Sequence, residues 1–353
     1  MMNTTPDKPY EHPSVWNSTQ MHNSDEWVLH LDKRDNDELQ AALLAVRNSG
    51  KEFTEVTKAD FPLPRLSERL KKMQQDLTQG RGFSLVRGFD INRYELRDAA
   101  QIYWGIGAHI GKHGAQNAQG DLLGHVTDLG VDYKANAAAR GYQTKSRLPF
   151  HNDALDVVSL MCVRPAKSGG LSRIVSSTAV HNEVMARRPD LLSVLYQDYY
   201  LDRRGEAPEG LKPYHATPFF SWAGGRLFCQ YNRTYAMSAQ RFEDVPRFTQ
   251  AQLEALDLMD QITNDPKLVL EMDFGPGDMQ FVSNYTVLHS RTDYEDWPEK
   301  ERRRYLLRLW LDTGLVTPLP AGIAERWGDV KLWQATPQPA IFDLSPVHTE
   351  LIH

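Results

Sequence analysis

Leu148-Pro149-Phe150-His151-Asn152-Asp153 leads directly into an apolar, β-prone run, Val157-Val158-Ser159-Leu160-Met161-Cys162-Val163. Residues i and i+2 of an extended strand point to the same face, so His151 and Asp153 can bind one ion. The run that follows is rich in residues that suit a buried strand. We therefore expect an H-x-D pair at the start of a sheet.

A metal site needs a third ligand, because an isolated H-x-D pair occurs by chance in many proteins. His289 lies far downstream, shortly after another β-prone run, Met279-Gln280-Phe281-Val282. Two histidines and one carboxylate that leave coordination positions open are typical of non-haem Fe(II) oxygenases. Zinc accepts the same ligands, so these three residues predict a metal site without naming the metal.

Arg302-Arg303-Arg304-Tyr305-Leu306-Leu307-Arg308-Leu309-Trp310-Leu311 alternates as a strand does, with Arg304 and Arg308 on one face. A buried arginine is costly unless it meets an anion, and its planar fork suits a carboxylate. An anionic cosubstrate is therefore expected. The two arginines would lie roughly 13 Å apart along a strand, so they are not expected to bind the same carboxylate. An internal pair with Asp or Glu is the alternative for either one.

From about Gly82 to Thr313 the sequence resembles the taurine and 2,4-dichlorophenoxyacetate dioxygenase family of Fe(II)/2-oxoglutarate-dependent oxygenases. The resemblance rests on four ordered motifs: Phe150-His151-Asn152-Asp153, Lys167-Ser168-Gly169-Gly170-Leu171-Ser172, Leu288-His289-Ser290-Arg291 and Arg304-x-x-x-Arg308. It implies a mainly β fold with flanking helices, a distorted double-stranded β-helix, or cupin-like jelly roll.

The resemblance also implies a ligand set. Fe(II) would lie on His151, Asp153 and His289, with 2-oxoglutarate and O2 as cosubstrates. The distal carboxylate of 2-oxoglutarate would lie on Arg304 and on the hydroxyl of Ser172, and Arg308 is included among the cosubstrate residues. Many members carry threonine where this chain has Ser172, but serine keeps the hydroxyl. Members that halogenate lack the carboxylate ligand; because Asp153 is intact, hydroxylation or a related oxidation is expected.

The reaction implied by this family decarboxylates 2-oxoglutarate to succinate and CO2 and hydroxylates an unactivated C–H bond, while the protein supplies orientation and a dry pocket. Arg308 and Arg233 indicate a small polar or anionic substrate, such as an amino acid or another carboxylate. Desaturation or cyclisation in a biosynthetic pathway is the alternative outcome. A zinc-dependent hydrolase and a non-catalytic, metal-binding cupin-like protein are the alternatives in other classes.

Five residues are candidates for substrate binding. Gln116 and Asn117 lie in a polar loop that borders the pocket in relatives, with ordinary turn polarity as the alternative. Tyr231 and Arg233 would share one face of a strand, with a salt bridge as the alternative for Arg233. Asn284 would point into the pocket or stabilise its own loop. Residues 130–147, just before the H-x-D strand, are expected to form a lid over the substrate.

Composition narrows the class of protein. The 353 residues carry a net charge of −6, which gives no general reason to expect nucleic acid as a partner. No apolar run is long enough to span a bilayer, and the first 20 residues lack the apolar core of a signal peptide. We therefore expect a cytoplasmic protein that acts on a small molecule and is not bound to a membrane. The sequence is compatible with a homo-oligomer. Cys162 and Cys229 are expected to be buried thiols.

The sequence predicts one catalytic domain with extensions. Residues 1–30 are expected to form an N-terminal arm, and residues 31–313 the oxygenase domain. Within that domain, an insertion of about 176–270 separates the two metal-binding strands. Residues 314–353, rich in proline, are expected to form a tail packed on the body.

Overall fold

The computed structural model describes residues 6–130 and 141–342. Most of the segment predicted as a lid therefore lies outside the described residues. The α-helices are α1 (Ser18–His22), α2 (Lys33–Ser49), α3 (Leu66–Gln79), α4 (Leu96–Ile110), α5 (Ser177–Arg187), α6 (Pro189–Leu195), α7 (Arg233–Ala239), α8 (Gln250–Thr263) and α9 (Ala321–Trp333).

The strands are β1 (Val28–His30), β2 (Phe83–Arg87), β3 (Lys112–His113), β4 (Gly124–Val126), β5 (Leu148–His151), β6 (Val157–Arg164), β7 (Ser168–Gly169), β8 (Ser172–Ser176), β9 (Asp198–Asp202), β10 (Tyr214–Pro218), β11 (Phe220–Ala223), β12 (Arg226–Cys229), β13 (Leu270–Met272), β14 (Met279–Ser283), β15 (Val287–Arg291), β16 (Tyr294–Glu295) and β17 (Tyr305–Asp312).

Two sheets frame the site. The larger runs β1-β2-β14-β6-β17, with β3 and β4 both paired to β17, and the smaller runs β13-β8-β15-β5. The chain crosses from the small sheet to the large one between β5 and β6, and back again between β14 and β15. Neither sheet closes on itself, so the arrangement is a distorted double-stranded β-helix of two facing sheets and not a closed barrel.

Asn284 and His289 do not lie on one β-strand. The chain turns at residues 284–286 and leaves the large sheet for the small one. Asn284 therefore lies in the connection between sheets, and His289 lies in the middle of β15.

The α4 helix packs against β17 and β6 of the large sheet. A Cβ placed on Gly107 would lie 2.8 Å from the side chain of Leu309 in β17, so glycine at this position permits the close approach of helix to sheet. On another side of α4, a Cβ on Gly105 would lie 2.4 Å from the ring of Phe61, which precedes α3. Strand β17 is buried on both of its faces.

The segment between β8 and β13 forms its own layer of helices and short hairpins around a second apolar core. Gly224 and Gly225, with φ of 55° and 76°, join β11 to β12 in a hairpin. These positive φ angles at both turn positions suit a tight hairpin.

The described part of the C-terminal tail packs on both the main core and the insertion. Val330 and Trp333 of α9 are buried in the main apolar core, and a Cβ on Gly322 would lie 2.4 Å from Thr217 in β10. The domain boundaries stay predictions. No helix among the described residues has the length and apolar character needed to cross a bilayer.

Candidate metal and cosubstrate site

A large cavity lies between the two sheets and beneath the insertion. Its empty volume is about 1350 Å³ when the open mouth and the solvent space in front of it are included. Its walls include residues of β5, β15, β17, β10 and α9.

The three predicted metal ligands meet on one wall of this cavity. His151 and His289 are direct partners across β5 and β15, and their ring centroids are 4.3 Å apart. Asp153 follows β5; its Oδ1 lies 3.9 Å from the Nε2 of His151, and its Oδ2 lies 3.9 Å from the Nε2 of His289. One ligand atom from each of the three residues lies within 4.8 Å of the others. The three could hold one metal ion.

Hydrogen bonds orient two of these ligands. The Nδ1 of His151 lies 2.8 Å from the carbonyl oxygen of Pro149, so Nδ1–H donates there and Nε2 is left for a metal. The backbone N–H of Asp153 donates to the Oδ1 of Asn284 (3.1 Å), and its Oδ2 accepts the indole N–H of Trp310 (2.9 Å). The Nδ1 of His289 has no partner among the described residues.

Electrostatics keep Asp153 and His289 unprotonated. Burial alone would raise the pKa of Asp153, but Arg308, His289, His151 and the hydrogen bond from Trp310 outweigh it and lower this pKa to about 2. Burial and the neighbouring His151 lower the pKa of His289 to about 3. At neutral pH, Asp153 is therefore an anion and His289 is a neutral base, as metal ligands must be.

A second cluster on the cavity wall fits an anion. Ser172 of β8 and Arg291 of β15 are direct cross-strand partners, so their side chains share a face. Arg304, just before β17, is also buried, and both guanidinium groups lie within about 5 Å of the centre of the Tyr294 ring. Burial lowers the pKa of each arginine, that of Arg291 to about 10.

These two guanidinium groups retain unused donors. Among the described residues, the Nη1 of Arg304 and the Nε and Nη1 of Arg291 have no hydrogen-bond partner. Asp296 accepts the backbone N–H of Arg304 at 2.7 Å. Buried cations with unused donors are stabilised by a bound oxyanion such as a carboxylate. Arg291 was not predicted as a site residue. Its position two residues after His289, on the same strand face, is the feature of the sequence that could have identified it.

Arg308 and Gln116 line the cavity but bind each other. The Nε of Arg308 donates to the Oε1 of Gln116 (2.7 Å), and the Nε2 of Gln116 donates to the backbone carbonyl of Arg308 (2.8 Å). The Nη1 of Arg308 lies 3.6 Å from the Oδ2 of Asp153. The observed contact is the internal ion pair that was the alternative for Arg308, and a role for Arg308 in binding the cosubstrate stays a prediction.

Asn117 does not line the cavity. Its Nδ2 donates to a carboxylate oxygen of Asp121 (2.7 Å), and its Oδ1 accepts the backbone N–H of Asp121 (3.1 Å). Asn117 therefore closes a local turn, and its prediction as a substrate residue is corrected.

The prediction for Arg233 is also wrong in its geometry. The strand ends at Cys229, and Asn232 caps helix α7 by accepting the N–H of Tyr235. Arg233 is the first residue of that helix, and its guanidinium pairs with Asp257 (2.7 Å) and Asp260 (2.6 Å) of α8, outside the cavity lining. A helix cap ended the alternation on which the prediction depended.

Tyr231 and Asn284 have different outcomes. Tyr231 lines the cavity, and its hydroxyl donates to Asp260 at 3.2 Å. The Nδ2 of Asn284 donates to the backbone carbonyls of Ala154 and Leu155 (3.0 and 3.2 Å). Asn284 thus braces the loop that carries Asp153, as its alternative role predicted.

Sequence reasoning missed two further cavity residues, His215 of β10 and Arg326 of α9. His215 lies in the insertion, and Arg326 lies in the tail where the motif pattern had ended. No motif near either residue indicated a role in the site, because the sequence does not show that the tail packs against the insertion.

Comparisons with known proteins agree with this geometry. Residues 46–310 match the family described as "Taurine catabolism dioxygenase TauD, TfdA family". The chain is 30% identical over 327 residues to FR-33289 synthase from Streptomyces rubellomurinus, covering 91% of this chain and 96% of the relative. It is also 30% identical over 324 residues to the taurine hydroxylase-like protein SAT17 from Stachybotrys chartarum, covering 88% and 82%.

Solved structures share the fold. An asparagine oxygenase in complex with Fe(II), 2S,3S-3-hydroxyasparagine and succinate matches with a TM-score of 0.63 and 16% identity, over 82% of this chain and 94% of that one. The non-haem iron oxygenase OrfP in complex with Fe and alpha-ketoglutaric acid matches with a TM-score of 0.61 and 12% identity, over 81% and 93%. The predicted fold class is confirmed.

The family match includes all three candidate metal ligands and every strand of both sheets except β1 and the last two residues of β17. It decides between the classes that the residues alone left open, and it excludes the zinc hydrolase and the non-catalytic protein. The chain belongs to the TauD, TfdA family and is an Fe(II)- and 2-oxoglutarate-dependent oxygenase.

Proposed function

We propose that this oxygenase hydroxylates a C–H bond of a small polar molecule held in the cavity between its sheets. His151, Asp153 and His289 hold Fe(II), and Arg304, Arg291 and Ser172 bind the distal carboxylate of 2-oxoglutarate. The observation that carries the proposal is the common cavity: one wall presents the three candidate metal ligands, and the same cavity presents two buried guanidinium groups with unused donors.

The residues on the cavity wall fit Fe(II) and the carboxylate of 2-oxoglutarate. Two imidazole nitrogens and one carboxylate are the ligands of a non-haem Fe(II) site that keeps positions open. The planar forks of Arg291 and Arg304 suit a carboxylate, and the hydroxyl of Ser172 on the same face adds a donor. Ser172 now donates to the Oε1 of Gln280 (3.0 Å), and a hydroxyl can rotate toward a ligand.

Bound Fe(II) with 2-oxoglutarate supplies the oxygen activation that an unactivated C–H bond requires. The chain supplies orientation and charge. Asp153 stays ionised, and Trp310 and Arg308 fix its Oδ2. Asn284 holds the backbone of the same loop, and Gln116 fixes the position of Arg308. These contacts pre-organise the metal ligands before any substrate enters.

Hydroxylation of an amino acid or a molecule of similar size is the specific reaction proposed. In support, the structure of similar fold named asparagine oxygenase contains 3-hydroxyasparagine with succinate, and OrfP structures contain hydroxylated L-arginine. The intact carboxylate ligand, Asp153, also supports hydroxylation.

A visible spectrum tests the assignment. Wild-type protein, prepared free of metal and oxygen, should show a weak visible charge-transfer band only after both Fe(II) and 2-oxoglutarate are added. Asp153→Ala should lose the band, whereas Asn117→Ala, a polar change outside the cavity lining, should keep it. If Asp153→Ala retained the full band, the ligand assignment would be wrong. A wild-type protein that binds Fe(II) yet shows no band would refute the proposed 2-oxoglutarate site.

A further inference from the structure

The loop that carries Asp153 connects β5 to β6 in a strained conformation. Leu155 has a φ of 65°, in the left-handed region that residues with a side chain rarely adopt. Such a conformation persists only where the surrounding structure fixes it from several sides. Asn284 fixes the first half of the loop through its hydrogen bonds with residues 153–155. The second half of the loop, at Asp156, needs a restraint of its own.

Two distant segments hold Asp156, which is buried. Its Oδ2 accepts the backbone N–H of Thr313 (2.9 Å), just after β17, and also the hydroxyl of Thr313. Its Oδ1 accepts the hydroxyl of Tyr285 (3.0 Å), and its backbone carbonyl accepts the N–H of Asn284 (2.9 Å). Asp156 therefore joins the Asp153 loop to the turn at residues 284–286 and to the end of β17.

The C-terminal helix reaches this cluster through one side chain. The indole N–H of Trp327 in α9 donates to the hydroxyl oxygen of Tyr285 at 2.8 Å. An indole can only donate, so the hydroxyl proton of Tyr285 stays available for Asp156. Each hydrogen bond in such a chain polarises and strengthens the next. Trp327 lies beyond residue 310, where the family match ends, so a helix outside the matched region is connected to the loop of a candidate metal ligand.

Packing places α9 behind this loop. A small cavity lies between them, and its wall includes Leu155, Tyr285 and Trp327. The ring of Tyr285 packs with Ile323 of α9 and Phe228 of β12 in a small apolar cluster. The hydrogen bond between Tyr285 and Asp156 is buried, so water does not readily replace it when it is lost.

We propose that Trp327 and Tyr285 are positioning residues, which act through Asp156 to hold the loop that presents Asp153 to the metal. Neither residue lines the main cavity. The inference rests on the proposed function, because it takes Asp153 as a ligand of Fe(II). It gives helix α9 of the C-terminal tail a part in metal binding.

The affinity for Fe(II) tests this role, by anaerobic competition with a coloured chelator at a temperature well below the unfolding midpoint of each variant. Trp327→Phe keeps a ring and removes the N–H. It should weaken Fe(II) binding roughly three- to tenfold, less than the 10–100-fold typical of a direct partner of a ligand. Trp333→Phe is the matched control, because Trp333 is buried on the same helix and its indole N–H has no partner among the described residues. It should bind Fe(II) as wild type does, even where its unfolding midpoint changes.

Tyr285→Phe and the double variant complete a cycle. Tyr285→Phe leaves the Oδ1 of Asp156 without its donor and should weaken Fe(II) binding about tenfold. Because Trp327 reaches Asp156 through Tyr285, the double variant should bind Fe(II) within about twofold of Tyr285→Phe, whereas independent effects would multiply. If Tyr285→Phe does not fold, the comparison of Trp327→Phe with Trp333→Phe decides alone.

Three outcomes would overturn the inference: wild-type affinity in Trp327→Phe, an equal loss in Trp333→Phe, or multiplied losses in the double variant. Asp153→Ala in the same assay separates this inference from the proposed function. Wild-type Fe(II) affinity in Asp153→Ala would refute the ligand assignment itself. A loss in Asp153→Ala with none in Trp327→Phe would refute the positioning role alone.

Discussion

The Nη1 of Arg308 lies 3.6 Å from the Oδ2 of Asp153, the same oxygen that accepts the indole N–H of Trp310. One oxygen of the metal-binding carboxylate is thus fixed from the large sheet, while His151 and His289 approach the carboxylate from the small sheet. The ion pair couples the two sheets at the point where the metal ligands meet.

Replacing Arg308 should weaken metal binding. Arg308→Leu removes the cation that most lowers the pKa of Asp153 and frees its Oδ2. Loss of such an outer partner typically costs 10–100-fold in metal affinity. Competition with a coloured chelator measures the Fe(II) affinity, and Arg233→Gln is the matched arginine control. Unchanged Fe(II) affinity in Arg308→Leu would show that the ion pair does not position the carboxylate.

Arg304 should dominate the affinity for 2-oxoglutarate. Truncating one partner of a buried charge pair costs about 2–5 kcal/mol, which corresponds to roughly 30-fold to several-thousand-fold. Titration of the visible band with 2-oxoglutarate measures the change in Arg304→Gln. Arg303→Gln is the control, because the Arg303 guanidinium bonds only backbone carbonyls in the contacts described. Equal losses in the two variants would contradict the assignment.

Asp156 should make stability fall as pH rises. Burial raises its pKa to about 6, despite hydrogen bonds from Thr313 and Tyr285, and the unfolded value is about 3.9. Between these pH values the native state binds more protons than the unfolded state, so the stabilisation is complete below about pH 4 and is lost as pH rises through about 6. The contribution is on the order of 2–3 kcal/mol.

Urea unfolding of wild type and Asp156→Asn at pH 4 and pH 7 isolates this contribution. The asparagine variant lacks the titration, so the wild type should lose more stability than the variant between the two pH values. A parallel change in both proteins would mean that Asp156 titrates as it does in the unfolded chain.

Two helix glycines should respond oppositely to alanine. At Gly105 of α4 a Cβ would lie 2.4 Å from the Phe61 ring, whereas at Gly328 of α9 it would meet no atom within 4 Å. Gly105→Ala should therefore cost about 1–3 kcal/mol by overpacking. Gly328→Ala should be neutral or stabilise by up to about 1 kcal/mol through helix propensity. Calorimetry of both variants checks the difference, and a stabilising Gly105→Ala would contradict the close packing of α4.

The sequence alone determined the features that short-range geometry controls. The i, i+2 spacing of His151 and Asp153 brings both side chains to one side of the chain wherever it is extended, and glycine at 224 and 225 permits the hairpin turn. Glycine follows the last residue of α2 and of α3, at positions 50 and 80. The ordered motifs also indicated the family and, through it, the fold.

Only the tertiary structure decided which charged groups meet. Arg308 pairs with Asp153, and Arg233 pairs with two aspartates of α8, because packing places those carboxylates beside them. His215 and Arg326 are 111 residues apart and come together because α9 packs on β10. Periodicity reports which face a side chain occupies, but the free energy of a buried charge depends on the partners that distant segments supply.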